Sequence, residues 1–201
     1  MVRVWPGAMQ DAIELEEFLQ VARDIGAKKI LEIGTCGGGT AAALASTGAK
    51  VVTMDITNGT PYPWEKEDYK KEFPNASVTH IQGDSRPWYM PPKVRDDYDI
   101  VFIDADHTNF SQYTDFKNYA CMGKVVAIHD INQWKTRVHD DWFPRNFWRL
   151  LIQAGGYKTK EIQSPTNTGG LGGIGIIYMK PGDYEKLLKM FEAFLFANNK
   201  P

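Results

Sequence analysis

Residues 29–40 constrain the fold of this 201-residue chain more than any other stretch. A short apolar run ending in Leu31, Glu32 and Ile33 reads as a buried strand. Gly34, Gly37, Gly38 and Gly39 follow at once, and Thr40 then opens an alanine-rich run over 41–45, a strong helix former. Strand, glycine turn and helix, in that order, is how a parallel α/β sheet brings bare backbone and a helix N-terminus up to a ligand.

The rest of the chain repeats that alternation. Residues 10–25 place Ile13, Leu15, Phe18, Leu19, Val21, Ala22 and Ile25 among charges, an amphipathic helix pattern that Gly26 ends. Further strands are expected at 50–55, 77–82, 99–104 and 124–130, with helical stretches at 64–73 and 109–122 between them. A helix over 145–154 precedes strands at 157–162 and 174–179, and a helix over 183–197 closes the chain. Five strands alternating with helices imply a parallel sheet with right-handed crossovers. The last two strands are joined by residues rich in Gly, Ser, Thr and Pro, which suits an antiparallel hairpin. The expected fold is α/β: a doubly wound, seven-stranded Rossmann-like sheet with an antiparallel C-terminal hairpin.

Composition narrows the function classes. The net charge is −2 with no basic stripe, so nucleic acid is a poor default partner. No apolar run reaches membrane-spanning length and the first residues lack a secretory pattern, so a soluble cytoplasmic protein is expected. Two cysteines, Cys36 and Cys121, form neither a disulfide framework nor a metal spacing. Cys36 reads as a loop residue and Cys121 as a buried one, while residues 5–7 read as an untethered terminus, with folding over a bound ligand as the alternative.

Ligands of open α/β sheets bind beyond the carboxyl ends of the strands, and here those ends are acidic. Asp55, Asp84, Asp104 and Asp130 close the second to fifth strands, and Glu32 sits in the first. A dinucleotide fingerprint fails because Cys36 stands where glycine is needed, and a nucleoside-triphosphate loop fails because no Lys follows Gly39. The set Glu32, Gly34, Thr35, Cys36, Gly38 and Thr40 instead resembles the first motif of small-molecule O-methyltransferases of the class I S-adenosylmethionine (SAM) fold. That resemblance implies that Gly34 and Gly38 let backbone approach the methionine part of SAM, with Thr35, Cys36 and Thr40 completing the turn. It places Glu32 near the cofactor's amino group, Asp55 on the ribose hydroxyls with Ile56 beside it, and Asp84 and Ser85 at the adenine. It implies one domain over 1–201, with an N-terminal helix in 1–27, a SAM-binding core in 28–135, a helix and hairpin in 136–180 and a terminal helix in 181–201.

Asp104, Asp106 and His107 after the fourth strand, with His129 and Asp130 after the fifth, resemble metal-assisted methyltransferases, among them sugar O-methyltransferases and relatives of catechol O-methyltransferase. The resemblance implies Asp104 and Asp130 as carboxylate ligands of a divalent cation, Mg²⁺ or Mn²⁺, with His129 a third candidate. Two departures leave the metal open. Ile131 stands where catechol-type enzymes have Asn, and His129 stands where the sugar-methylating relatives can have an acid, imidazole being a softer ligand less suited to Mg²⁺. His107 is a candidate general base, with helix capping as its structural alternative. His129 reads as that ligand, as a structural hydrogen bond to the loop or as the base in place of His107, and Asp106 as a helix cap or a support for His107. Trp134 and Arg137 are candidate walls of a substrate site, whereas Phe147 and Trp148 read as packing. The implied activity is methyl transfer from SAM to a hydroxyl of a small molecule, a sugar or an aromatic, by a chain that can form a homo-oligomer. N-, protein or RNA methylation on the same fold stays open, as does a SAM-binding module without catalysis.

Overall fold

A computed structural model of the chain describes residues 2–59, 61–87, 94–132, 143–163 and 172–198. In chain order the elements are α1 (Ala12–Asp24), β1 (Lys29–Ile33), α2 (Gly39–Ala45), β2 (Lys50–Asp55), α3 (Glu67–Glu72), β3 (Ser77–Gln82), β4 (Tyr98–Ile103), α4 (Asn109–Tyr119), β5 (Gly123–His129), α5 (Phe143–Ala154), β6 (Lys158–Ile162), β7 (Ile174–Tyr178) and α6 (Asp183–Asn198). The seven strands form one sheet in the order β3-β2-β1-β4-β5-β7-β6. β1 to β5 run parallel, and β7 is antiparallel to both β5 and β6. The expected architecture is the one observed, and its order reverses between β1 and β4, where open sheets bind their ligands.

β1 lies at the centre of that reversal. Its register sets Ile33 beside Met54 of β2 and beside Ile103 of β4, so the glycine turn, Asp55 and Asp104 all emerge at one edge. On one face Leu15, Phe18 and Leu19 of α1 and the alanines of α2 pack against Ile30, Ile100 and Phe102. On the other, Phe116 and Tyr119 of α4 meet Phe147 and Leu151 of α5 and Leu187 and Phe191 of α6. Each fully buried aromatic or aliphatic side chain contributes about 1.5–3 kcal/mol, and both layers of helices are tied to the sheet this way. Phe147 and Trp148 are packing residues, as expected.

Three local readings need correction. The N-terminal segment is tethered: Trp5 is buried beside Tyr69 and Phe73, with Arg3 stacked on its ring and paired with Glu72. Within α1, Ile13 is 44% exposed whereas Glu14 is 0% exposed. Glu14 lies one turn before Phe18 on the same stripe, so the buried face includes an acid that apolar counting passes over. Cys121 is exposed, in a 3₁₀ turn over Ala120–Met122 that ends α4. Among the described residues no helix is long and apolar enough to cross a membrane.

Candidate active site

The glycine turn is held from three sides. Gly34 has φ +101°, and a Cβ there would lie 2.2 Å from the Asp104 carbonyl oxygen, so only glycine lets β1 end against the start of the loop after β4. Gly38 has φ +75° and backs onto the rings of Tyr62 and Trp64, which are stacked 4.5 Å apart. Gly39 meets the backbone of Gly7 and Ala8, so the N-terminal segment lies across the start of α2. Gly34 and Cys36 of the turn remain open to the strand-end cavity, while its Gly39 end is covered. Cys36, with φ +45°, and Asp130, with φ +62°, are the non-glycine residues in left-handed backbone among those described. Such geometry costs about 1–3 kcal/mol per residue and gathers at functional sites.

Beyond the strand ends lies a cavity of about 360 Å³, a volume within the range of small-molecule sites. Gly34, Cys36, Asp55, Ile56, Asp84, Ser85 and Asp104 of the expected set line it. Glu32, Thr35, Gly38 and Thr40 do not. Glu32 is buried within the sheet, where Thr53 donates to it at 2.5 Å and Thr35 meets Thr53 at 2.7 Å. Burial pushes its pKa well above the usual carboxylate value. The Thr53 hydrogen bond opposes that rise, and the charges of Asp104 and Asp55 add to it. Glu32 thus supports the turn from within, and the contact with the cofactor's amino group that the resemblance implies would run through water or neighbouring backbone.

Asp55 is an acceptor already in use. One oxygen takes the backbone N–H groups of Thr35 at 2.9 Å and Cys36 at 2.8 Å; the other takes the N–H and hydroxyl of Thr57, both at 2.9 Å. Burial alone would raise its pKa, but those hydrogen bonds outweigh it and hold the carboxyl below its usual range. A ribose would have to share these lone pairs or replace the Thr57 hydroxyl. Asp84 is gripped by Arg86 through contacts of 2.8 and 2.9 Å, which also lower its pKa. The Ser85 carbonyl accepts from Asn118 and Tyr119 of α4, fixing this end of the cavity to the helix layer.

At the other end two histidines meet three acids. His129 is buried, with Nδ1 2.9 Å from Asp104 Oδ1 and 3.3 Å from Asp130 Oδ1, and Nε2 2.9 Å from Glu14 Oε1. The Glu14 contact is an ion pair without hydrogen-bond alignment. Burial works against a charged ring, yet Asp104, Glu14 and Asp130 together raise its pKa well above the ordinary imidazole value. The partners of His129 are thus acids, where a hydrogen bond to the loop was expected. Asp104 also accepts from the Gln10 amide at 2.5 Å, and Gln10 in turn accepts from the Thr40 hydroxyl. Asp130 accepts from Gly172 N–H at 2.9 Å, and Glu14 from Gly173 N–H at 3.1 Å. His107 has Nε2 3.5 Å from Asp130 and 4.0 Å from Asp104, with the Gln112 amide 3.3 Å from Nδ1. Asp106 takes the backbone N–H and hydroxyl of Thr108 and the hydroxyl of Ser111, which braces the turn into α4, whose N-cap is Thr108.

Sequence reading missed Gln10 and Glu14, both supplied by the N-terminal segment and α1. The available signal was an acid standing on an otherwise apolar helical stripe. Trp134 and Arg137 lie outside the described residues. A divalent cation does not fit Asp104, Asp130 and His129 as they stand. Both His129 nitrogens face carboxylates, both Asp104 oxygens are engaged, and no group of three His, Cys, Asp or Glu among the described residues is arranged to hold an ion.

Sheet order, glycine turn and strand-end cavity are together those of a class I SAM-dependent methyltransferase. A family model described as "Methyltransferase domain" matches residues 31–131, half of the chain, and the chain belongs to that family. No curated protein matches it in sequence. Among solved structures it is similar to an O-methyltransferase from Bacillus cereus, in complex with S-adenosylhomocysteine (SAH), at 20% identity and TM-score 0.63, over 89% of this chain and 83% of that one. It is likewise similar to the O-methyltransferase TomG from Streptomyces achromogenes, involved in tomaymycin synthesis and in complex with SAM, at 22% identity and TM-score 0.63, over 87% and 83%.

Proposed function

We propose that the chain methylates a hydroxyl of a small molecule, with SAM bound in the strand-end cavity and His107 as the general base. One observation carries the reading. Asp104 is both a wall of the cavity and a member of the histidine cluster, so a donor in the cavity and a proton acceptor share one strand end. SAM supplies a methyl group activated by its sulfonium. The chain's part is to place the acceptor oxygen and receive its proton. With the Gln112 amide turned so that its carbonyl meets the ring, Nδ1 of His107 carries the proton and Nε2 presents its lone pair. The acceptor's proton moves to Nε2, its oxygen forms the new bond to the methyl carbon, and the carbon–sulfur bond breaks with its electron pair left on sulfur as SAH. Asp130, 3.5 Å from Nε2, stabilises the imidazolium so formed.

Calorimetry with SAM and SAH tests the cofactor, and labelled SAM offered with a panel of sugars and phenols tests the transfer. His107→Ala is expected to lower kcat by about 10²–10⁴ while SAH affinity stays at the wild-type value. An unchanged rate removes His107 from the mechanism. SAH binding without transfer to any hydroxyl would leave a binding module or a different acceptor class.

A further inference from the structure

We propose that this site is closed to a metal by its own side chain: the His129 ring, clasped between Glu14 of α1 and Asp104 at the end of β4, fills the position of a divalent metal, and the site works without one. The inference deepens the proposed O-methylation and rests on it only for what the site then does with its acceptor.

Three observations support it. First, an imidazole that ligates a metal turns one nitrogen's lone pair to the ion. Here Nδ1 lies 2.9 Å from Asp104 and Nε2 2.9 Å from Glu14, so both nitrogens face carboxylates and neither is turned to an open position where an ion could sit. Second, the oxygens a metal would claim are in use. Asp104 accepts from Gln10 on its second oxygen, and Asp130 accepts the Gly172 N–H. Mg²⁺ and Mn²⁺ prefer oxygen ligands, with waters and substrate filling the shell, and the cluster would have to break these bonds to provide them. Third, Glu14 is fully buried and has its ion partner in His129. An incoming cation that displaced the ring would strand Glu14 as a buried carboxylate, an arrangement that is strongly destabilising. The acid from α1 and the histidine from β5 therefore belong together: each makes the other tolerable in the interior. Deprotonating the acceptor then falls to His107, without a Lewis acid beside it.

The test is a titration of Mn²⁺ into the full-length protein, with and without SAH, following the ion's paramagnetic resonance signal. The wild-type chain is expected to leave Mn²⁺ unbound at millimolar concentration. Uptake of one ion per chain by the wild type overturns the proposal. His129→Glu removes the imidazole that fills the position and adds an oxygen ligand, so it is expected to take up one Mn²⁺ per chain and to melt at a higher temperature in its presence. A folded His129→Glu protein that takes up none also overturns it, and if that variant does not fold the wild-type titration decides alone. SAH heats measured on the same samples read the proposed function separately: a wild type that binds neither SAH nor Mn²⁺ sinks the methylation reading and leaves the metal-free site standing.

Discussion

The two ends of the strand-end row solve the same problem, an ionised acid partly out of water, by different means. At the end of β2, Asp55 is satisfied by four donors from residues 35, 36 and 57, three of them backbone N–H groups. At the ends of β4 and β5, Asp104 and Asp130 share a histidine with Glu14, and the partners come from α1, from the N-terminal segment and from the glycines before β7. The first solution is made of turn geometry and asks little of the rest of the molecule. The second exists only when the whole domain has closed. The acid nearest the glycine turn is therefore a local fixture, whereas the acid beside the candidate base depends on remote packing.

The largest expected effect breaks the second solution. His129→Ala leaves the buried Glu14 and the half-buried Asp104 without their partner, and is expected to cost about 3–5 kcal/mol of stability. Urea unfolding measures it. Adding Glu14→Gln to that variant should recover part of the loss, because the stranded charge goes with it. A loss below about 1 kcal/mol for His129→Ala, the range of exposed ion pairs, would mean that the cluster is held as loosely as a surface pair.

Asp115 is an acid that has neither solution. It lies fully buried on α4, and neither oxygen has an aligned hydrogen-bond partner. Burial pushes its pKa up to about 7, against the pull of the Ser85 hydroxyl, with the charges of Asp106 and Asp84 adding to the rise. The folded chain then binds a proton that the unfolded chain releases between the ordinary carboxylate value of 3.8 and about 7. Stability contributed by the protonated form is complete below that window and is lost as pH rises through it. Asp115→Asn is expected to match the wild type near pH ~4 and to exceed it by about 2–4 kcal/mol above pH ~7. Thermal melts across that range check the sign, and a wild type equally stable at both ends would show that this acid has a partner.

The same contrast explains what was legible in the sequence. The strand positions, the hairpin, the glycine turn and the acids at the strand ends arise from local patterns of apolar runs and breakers, and each was placed within a residue or two. Asp55 was found because its position relative to the turn is a short-range property. What it does there was read incompletely, since its donors are backbone groups that residue types do not announce. Gln10 and Glu14 escaped because their importance is set by residues far along the chain: Glu14 meets a glycine 159 positions away, and Gln10 an acid 94 positions away. Apolar periodicity also mislabelled this stretch, since it counts Ile13 as buried and treats its acidic neighbour as solvent-facing. The tethered N-terminus was missed for a similar reason. Trp5 has no amphipathic partner within its own segment and acquires one only from Tyr69 and Phe73 on the far side of β2.

Asp55→Asn gives the smallest of the three effects and the sharpest test of the first solution. The amide keeps the shape of the carboxylate but replaces one oxygen with a donor. Whichever way it turns, that donor faces either the Thr35 and Cys36 N–H groups or the N–H of Thr57, and the charge that strengthened the remaining bonds is gone. Hydrogen bonds to a charged group contribute about 1.5–3 kcal/mol, so a stability loss of about 2 kcal/mol is expected, together with weaker SAH binding. The joint change is what matters. An acid whose sole task is to read ribose would lose SAH affinity with no change in unfolding, because the free protein would not depend on it. An acid whose sole task is to hold the glycine turn would lower stability and spare the affinity, provided the turn keeps its shape. Asp55 lines the cavity while accepting four bonds from its own chain. Both readouts should therefore move together, with Thr57→Val, which removes one hydroxyl donor and leaves every backbone one, shifting each by less.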